Sequence, residues 1–286
     1  MLDTGVRRST GTEAVLLGAI VATGGAAAVA GLGRRARNEA PYRPVLERIE
    51  LRLPPGVQTP PRLRIGFVAD THLGSVMRPA DIDRALALLL AAEPDLLLFG
   101  GDYVSESPRY IIEAAAVLGG VASATRFGSL AVLGNHDCAN GAERMTSALE
   151  KRGIQVLRNA SACVGDEMGE LWIAGIDDAL LGCPDTERAF GGVPANARAL
   201  ALWHEPDWAE QVVDHGAFLQ LSGHSHGGQI RLPVAGQIAA PAGGRRFVEG
   251  FNFATGMPVY TSRGVGVYRP PVRFRCPPEV TLITLI

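Results

Sequence analysis

The chain has 286 residues, 47% of them hydrophobic, with 27 Lys plus Arg set against 29 Asp plus Glu for a formal charge of -2. That is enough apolar material for one large core or two smaller ones, and the charge balance excludes the strongly basic surface that holds nucleic acid by phosphate neutralisation. Cys138, Cys163, Cys183 and Cys276 are too few and too scattered for a disulfide-stapled miniprotein, and no C-x-x-C spacing occurs. Cys163 and Cys183 could pair in an exported protein, but small buried thiols are the favoured expectation.

Residues 14–32 carry no charge over 19 positions, about the length that crosses a ~30 Å hydrocarbon core. Arg7 and Arg8 precede this stretch, a loose match to a twin-arginine export signal, and Ala28-Val29-Ala30 near its end has the form of an A-x-A cleavage site. Residues 1–37 are therefore expected to be a signal peptide or an uncleaved membrane anchor. Arg34, Arg35 and Arg37 follow the apolar stretch and compete with Arg7 and Arg8, so charge counting sets no orientation. Six prolines between Pro41 and Pro61 disfavour a continuous helix, and 38–61 reads as a linker or an edge segment leading into a domain that starts near Arg62 and runs over 62–286.

Short apolar runs rich in branched residues then recur between turns, at 63–69, 96–99, 130–133, 171–176, 199–203, 218–221 and 280–286, and read as buried strands. Residues 79–93 place Ile82, Ala85, Leu86 and Leu89 on one helical face with Pro79 suited to the first turn, and 111–118 and 142–152 are likewise helical. The first half is thus β-α-β-α-β-α. From Leu171 onward the helices shrink and turns multiply, which predicts a second sheet of more mixed direction.

Polar residues with metal-binding chemistry follow the carboxyl ends of these strands, where the loops of an open α/β sheet gather and ligands bind. The strand at 63–69 ends in Asp70-Thr71-His72, that at 96–99 in Gly100-Gly101-Asp102, and that at 130–133 in Gly134-Asn135-His136-Asp137. Farther on, His204 ends one strand and Gly223-His224-Ser225-His226 follows another, so five of the six histidines lie at such positions. An isolated Asp-x-His or a lone histidine means little, but the ordered series is specific.

In this series the chain resembles the calcineurin-like metallophosphoesterase family, whose pattern is Asp-x-His, Gly-Asp, Gly-Asn-His-Asp/Glu, a solitary His and Gly-His-x-His. It resembles in particular an exported or membrane-anchored bacterial branch, through His204-Glu205-Pro206-Asp207 and the eleven residues from Gly223 to Pro233. The resemblance implies an α/β fold, a four-layer α/β/β/α sandwich of two mixed sheets with a dinuclear metal site at the carboxyl edge. Carried over position by position, Asp70, His72 and His226 would hold one divalent ion and Asn135, His204 and His224 the other, with Asp102 bridging. A shared carboxylate is what two cations ~3.5–4 Å apart require. The donors include no thiolate and suit Mn, Fe or Zn, with manganese favoured. Cys138 has no expected contact with metal.

The implied activity is hydrolysis of phosphodiester or pyrophosphate bonds by in-line attack of a metal-bridging hydroxide, with His136 protonating the leaving oxygen, a task suited to imidazole. Many relatives orient that histidine with an acid three residues after the bridging Asp. Here the position is Ser105, which leaves the orienting role to Asp137 or another group, or makes leaving-group protonation less important. Two other functions stand beside this one: the UDP-2,3-diacylglucosamine pyrophosphatase of lipid A synthesis, and a non-catalytic scaffold of the same fold. The expected partners are a phosphorylated small-molecule or lipid substrate and a membrane reached through the N-terminal segment, at the cell membrane or in the cell envelope; nucleic acid is not expected, and no protein partner is inferred. Among the arginines, Arg231 and Arg263 are slightly favoured as phosphate ligands. Gly227 and Gly228 are expected to form a tight turn, Asp177 and Asp178 to cap one, the tryptophans to pack, with Trp208 the candidate to reach lipid, and His215 to be structural.

Overall fold

A computed structural model describes residues 31–38, 40–55, 57, 59–234, 236–254 and 256–286. The Arg7-Arg8 pair, the A-x-A site and nearly all of the apolar stretch 14–32 lie outside them. Helix α1 occupies 31–38. No helix among the described residues is long and apolar enough to cross a membrane.

Two six-stranded sheets form the centre. The first has the order β1-β14-β2-β3-β4-β5, built from β1 (Val45–Leu51), β2 (Arg64–Val68), β3 (Leu96–Phe99), β4 (Ser129–Ala131), β5 (Gln155–Val156) and β14 (Glu279–Leu285). Strands β2 to β5 run parallel, β14 runs antiparallel to β2, and β1 pairs parallel to β14. The second has the order β12-β13-β9-β8-β7-β6, from β6 (Ala160–Asp166), β7 (Gly169–Gly175), β8 (Ala199–Leu202), β9 (Ala217–Ser222), β12 (Gly250–Ala254) and β13 (Met257–Thr261). Its inner strands β7, β8, β9 and β13 are parallel, and the edges β6 and β12 are antiparallel. A two-stranded hairpin, β10 (Arg231–Leu232) and β11 (Gly236–Gln237), stands apart from both.

The alternation of side chains across each strand builds three apolar layers. Ile65, Phe67, Leu96 and Leu98 meet Leu171, Ile173, Leu200, Leu202, Leu219 and Leu221 between the sheets. On the other face of the first sheet, Val68, Leu97 and Phe99 pack under α2 (Pro79–Leu90), α3 (Ile111–Gly119) and α4 (Asn135–Glu150). Helix α2 buries Ile82, Ala85, Leu86 and Leu89, the predicted face, and Asp81 accepts a hydrogen bond from the Arg78 amide at its start. Beyond the second sheet, Trp203, Ala174 and Val259 pack with Ala189 and Phe190 of α5 (Thr186–Phe190) and Val212 of α6 (Glu210–Val213). The result is the four-layer α/β/β/α sandwich.

Several local features differ from the expectations. Of the two readings of 38–61, linker or edge segment, 45–51 takes the second: it forms β1, the edge strand of the first sheet, so this part is not a linker, and the prolines flank it without entering it. Helix α4 starts at Asn135, seven residues before the predicted helix, and Gly141 (φ 120°) interrupts it. The apolar periodicity sees only the part after that break. The cysteines are all unpaired; Cys163 and Cys183 are exposed, so the buried-thiol expectation holds for Cys276 and not for these two.

One buried cation anchors the loop between β13 and β14. Arg273 is fully buried, and its guanidinium donates to the carbonyls of Arg263, Gly264, Gly266 and Cys276 at 2.6–3.2 Å. Replacing it leaves several buried carbonyls without donors, each a desolvation cost. Arg273→Met is expected to lose about 3–5 kcal/mol in urea unfolding; a loss below about 1 kcal/mol would show that water replaces the guanidinium without penalty.

Candidate metal centre

The eight residues selected from the sequence come together at the carboxyl ends of the parallel strands of both sheets. Asp70 and His72 follow β2, Asp102 follows β3, Asn135 and His136 open α4 after β4, His204 follows β8, and His224 and His226 follow β9. Asp70, His72, Asp102, His224 and His226 all take left-handed backbone conformations, with φ between 47° and 69°. Non-glycine residues rarely do so, and it is at functional sites that such strain collects. The turn after His226 needs the positive φ of Gly227 (60°) and Gly228 (75°), as the sequence suggested.

The side chains form two adjoining groups of donors. In one, His226 Nε2 lies 2.9 Å from His72 Nε2 and 3.6 Å from Asp70 Oδ1. In the other, Asp102 joins His204 and His224, with His204 Nε2 3.2 Å from Asp102 Oδ2 and off the line that a hydrogen bond needs. Asp102 touches both groups, since its Oδ2 is also 3.6 Å from His72 Nε2. His136 comes within the same reach of His72 and Asp102, at most 4.8 Å between donor atoms.

Outer contacts select which ring nitrogen faces the centre. His204 Nδ1 donates to the Gly100 carbonyl at 2.6 Å, which leaves Nε2 for the centre, and His224 Nε2 donates to the Ala242 carbonyl at 2.8 Å, which leaves Nδ1. Asp70 is oriented by the His224 amide, and Asp102 Oδ1 by the His136 amide at 2.8 Å. A Cβ at Gly134 would strike Asp102 Oδ1 and lie 2.7 Å from His204 Nε2, so only glycine admits this approach. Asn135 Oδ1 and His204 Nε2 are buried without a hydrogen-bond partner. Partnerless buried oxygen and imidazole atoms beside carboxylates, with no thiol among them, are a donor set that fits divalent metal ions.

Burial dominates the protonation of this cluster. It drives His72 down to about 3 and His224 down to about 4, and it holds His226 well below the ordinary imidazole range. It also pushes the Asp70 carboxyl up to about 7. For Asp102 burial opposes the charge, but the charges of His204 and His72 outweigh it and hold the carboxylate well below its usual range. His204 is the reciprocal case: burial opposes its charge, Asp102 more than compensates, and it is raised well above the ordinary value.

His136 lines the cavity that opens onto these groups, about 670 Å³ in volume. Its Nδ1 donates to the backbone carbonyl of Ser105 at 2.8 Å, so Nε2 is the ring atom left for chemistry. Asn140 braces this arrangement by donating to the His136 carbonyl at 2.8 Å and to the Ser105 carbonyl at 3.4 Å. Asp137 does not orient His136, because its carboxylate is occupied by the amides of Gly134, Asp102 and Tyr103. The main chain of residue 105 thus supplies what an acidic side chain there would have supplied.

Tyr268, which the sequence reading missed, packs its ring on His136 with centroids 4.7 Å apart and on His72 at 5.8 Å. No motif marks it, and the tertiary fold alone brings it from the β13–β14 loop. The favoured arginines are engaged elsewhere: Arg231 pairs with Glu249, and Arg263 with Glu47 and Glu279. Glu47 and Glu279 come from the two paired strands of the first sheet, so only the fold brings them to Arg263. Arg269 instead lines the cavity. Asp178 caps the turn at Leu181 and Gly182, Asp177 binds Arg158 and the Cys183 amide, and His215 stacks on Phe190, all in structural roles. Trp208 packs on Trp203 in the outer layer. Cys138 packs against the helical layer and belongs to none of the donor groups.

Comparison with known proteins gives the same pattern. Residues 63–228 match the family model for the calcineurin-like phosphoesterase. The metallophosphoesterase YkuE of Bacillus subtilis (strain 168) is 34% identical over 219 residues, covering 76% of this chain and 77% of its own. The phosphodiesterase YaeI of Escherichia coli (strain K12) is 34% identical over 228 residues, covering 78% and 82%. A transmembrane protein with a metallophosphoesterase domain from Danio rerio is 30% identical over 237 residues, and the chain spans 53% of that protein's length. With the match extending over the strands and loops that carry the donor groups, the chain belongs to the calcineurin-like phosphoesterases and is a metal-dependent phosphoester hydrolase.

Proposed function

We propose that the protein hydrolyses phosphodiester or pyrophosphate bonds with two divalent cations. Asp70, His72 and His226 hold one, Asn135, His204 and His224 the other, and Asp102 lies between them. The observation that carries this reading is the position of Asp102, with one carboxylate oxygen 3.2 Å from His204 and 3.6 Å from His72. Bound there, divalent ions neutralise phosphoryl charge and activate water near neutral pH, and the donor chemistry favours manganese, with iron and zinc as the other candidates.

The chain's own residues supply position and a proton. Ser105 and Asn140 fix the His136 ring, whose Nε2 faces the cavity to protonate the leaving oxygen. Tyr268 packs on the same ring and limits its rotation. All eight groups of the pattern are present and convergent, which favours catalysis over a scaffold role. We place the site of action at a membrane or in the cell envelope, with residues 1–37 as anchor or signal. The uncharged stretch 14–32 supports this, as does a relative named a transmembrane protein.

Three measurements test the reading. Asp102→Asn is expected to lower turnover of an aryl phosphodiester by several orders of magnitude and to reduce metal content at both sites by elemental analysis; loss of one ion alone would refute the bridging role. His136→Ala should spare esters with good leaving groups, such as bis-(4-nitrophenyl) phosphate, while abolishing turnover of an alkyl phosphodiester; equal losses on both would remove the acid role. Metal uptake by stripped protein should release about two protons per chain at pH 6, one from Asp70 and one from His204. His72 and His224 are already neutral there. Because these protons compete with the cation, affinity rises as pH rises through about 7. Calorimetric titration in buffers of different ionisation heat reads the release, and affinity flat from pH 6 to 8 would count against the assignment.

A further inference from the structure

The catalytic cavity has two unlike walls. One carries the metal-binding side chains, and the other is apolar, formed by Leu180, Ile230, Ile238, Ala239, Pro241 and Pro270. A water-soluble phosphoester has no use for the second wall, whose burial by a ligand favours hydrocarbon. Ile238 on this wall is 61% exposed, Leu181, next to Leu180 in the chain, 60%, and Val234, in the turn of the β10–β11 hairpin, 100%. Exposed apolar residues gathered beside a polar cavity mark an interaction surface.

The path of the chain says what covers it. The uncharged residues 14–32 lead directly into helix α1. That helix is tied to the cavity mouth, because the Ala36 carbonyl accepts from the Arg273 amide, and the neighbouring Phe274 carbonyl accepts from the Arg231 amide at the base of the hairpin. Arg37 and Pro271 line a shallow cleft with Ser75 and Val76, and a second cleft joins Pro271, Ser75 and Val76 to Tyr268 and Arg269 at the mouth. Helix α1, which follows the uncharged stretch in sequence, thus lies on the side where the cavity opens. Arg37 and Arg269 are exposed along this rim, the charge that suits anionic headgroups, with Glu106 the acid beside Arg269.

We infer that the mouth of the catalytic cavity lies against a lipid surface, with the β10–β11 hairpin inserted, and that the substrate is an amphiphilic phosphoester whose hydrocarbon part runs along the apolar wall. The inference rests on the phosphoester-hydrolase reading above, and it names the substrate class of that site.

The full chain, loaded with manganese, tests both halves. In vesicles of phosphatidylcholine and phosphatidylglycerol with brominated acyl chains, Val234→Trp should add tryptophan fluorescence that the bromines quench. Met168→Trp, at the exposed β6–β7 turn where β7 begins, the strand end opposite the carboxyl ends that carry the site, should add fluorescence that they leave untouched. In solution, below its aggregation concentration, 4-nitrophenyl octyl phosphate should have kcat/KM at least about tenfold above 4-nitrophenyl methyl phosphate. In Ile238→Asp that ratio should fall towards one, with the melting temperature reporting that the variant is folded. Equal quenching at 234 and 168 overturns the orientation, and equal kcat/KM for the two esters in the parent overturns the substrate class. Turnover of neither ester by the loaded protein instead refutes the hydrolase reading, and with it the substrate class, while the quenching result still decides the orientation.

Discussion

Imidazoles and carboxylates crowded into overlapping groups of three, each within 4.8 Å and nearly all buried, need positive charge shared among them, as protons or as cations. Asp102 and His204 show the consequence most clearly, each holding the other in its charged form against the cost of burial. Asp70 shows the opposite resolution, its carboxyl pushed towards the neutral form. A divalent ion resolves the same conflict in one step by satisfying several donors together, and the partnerless atoms of Asn135 and His204 point to that solution.

The scaffold holds this arrangement at the cost of backbone strain. Five of the donor residues sit in left-handed conformations because the chain must turn sharply as it leaves a buried strand. Rigid strands on both sides make the turns affordable. Backbone amides and carbonyls then fix each side chain: Gly100 and Ala242 select the ring nitrogens, and the amides of His224 and His136 aim the two carboxylates. Asp137 serves the same end without touching the centre, because it gathers the amides on either side of Asp102 and at Gly134.

The parallel strands and the donor residues were legible in the sequence because both leave local signs. Branched apolar runs mark strands buried on two faces, and donors fall at their ends. Strand β1 was less legible, since flanking prolines hid it and its partner lies more than two hundred residues away in sequence. Tyr268 and the carbonyl of Ser105 left no sign, as one is brought in by a long loop and the other is a main-chain atom common to every residue. The arginines show the same limit from the other side. In the sequence Arg263 is favoured as a phosphate ligand, whereas sheet pairing brings it two acids.

The place of β14 in the first sheet has a bearing on biogenesis. It lies between β1 and β2, so two segments made early stay unjoined until a segment near the other end of the chain has been synthesised. Such long-range closure delays folding and prolongs exposure of unpaired edges. A nascent chain of this topology therefore carries the edges of β1 and β2 unpaired until β14 has been made, and its first sheet closes only after synthesis is nearly finished.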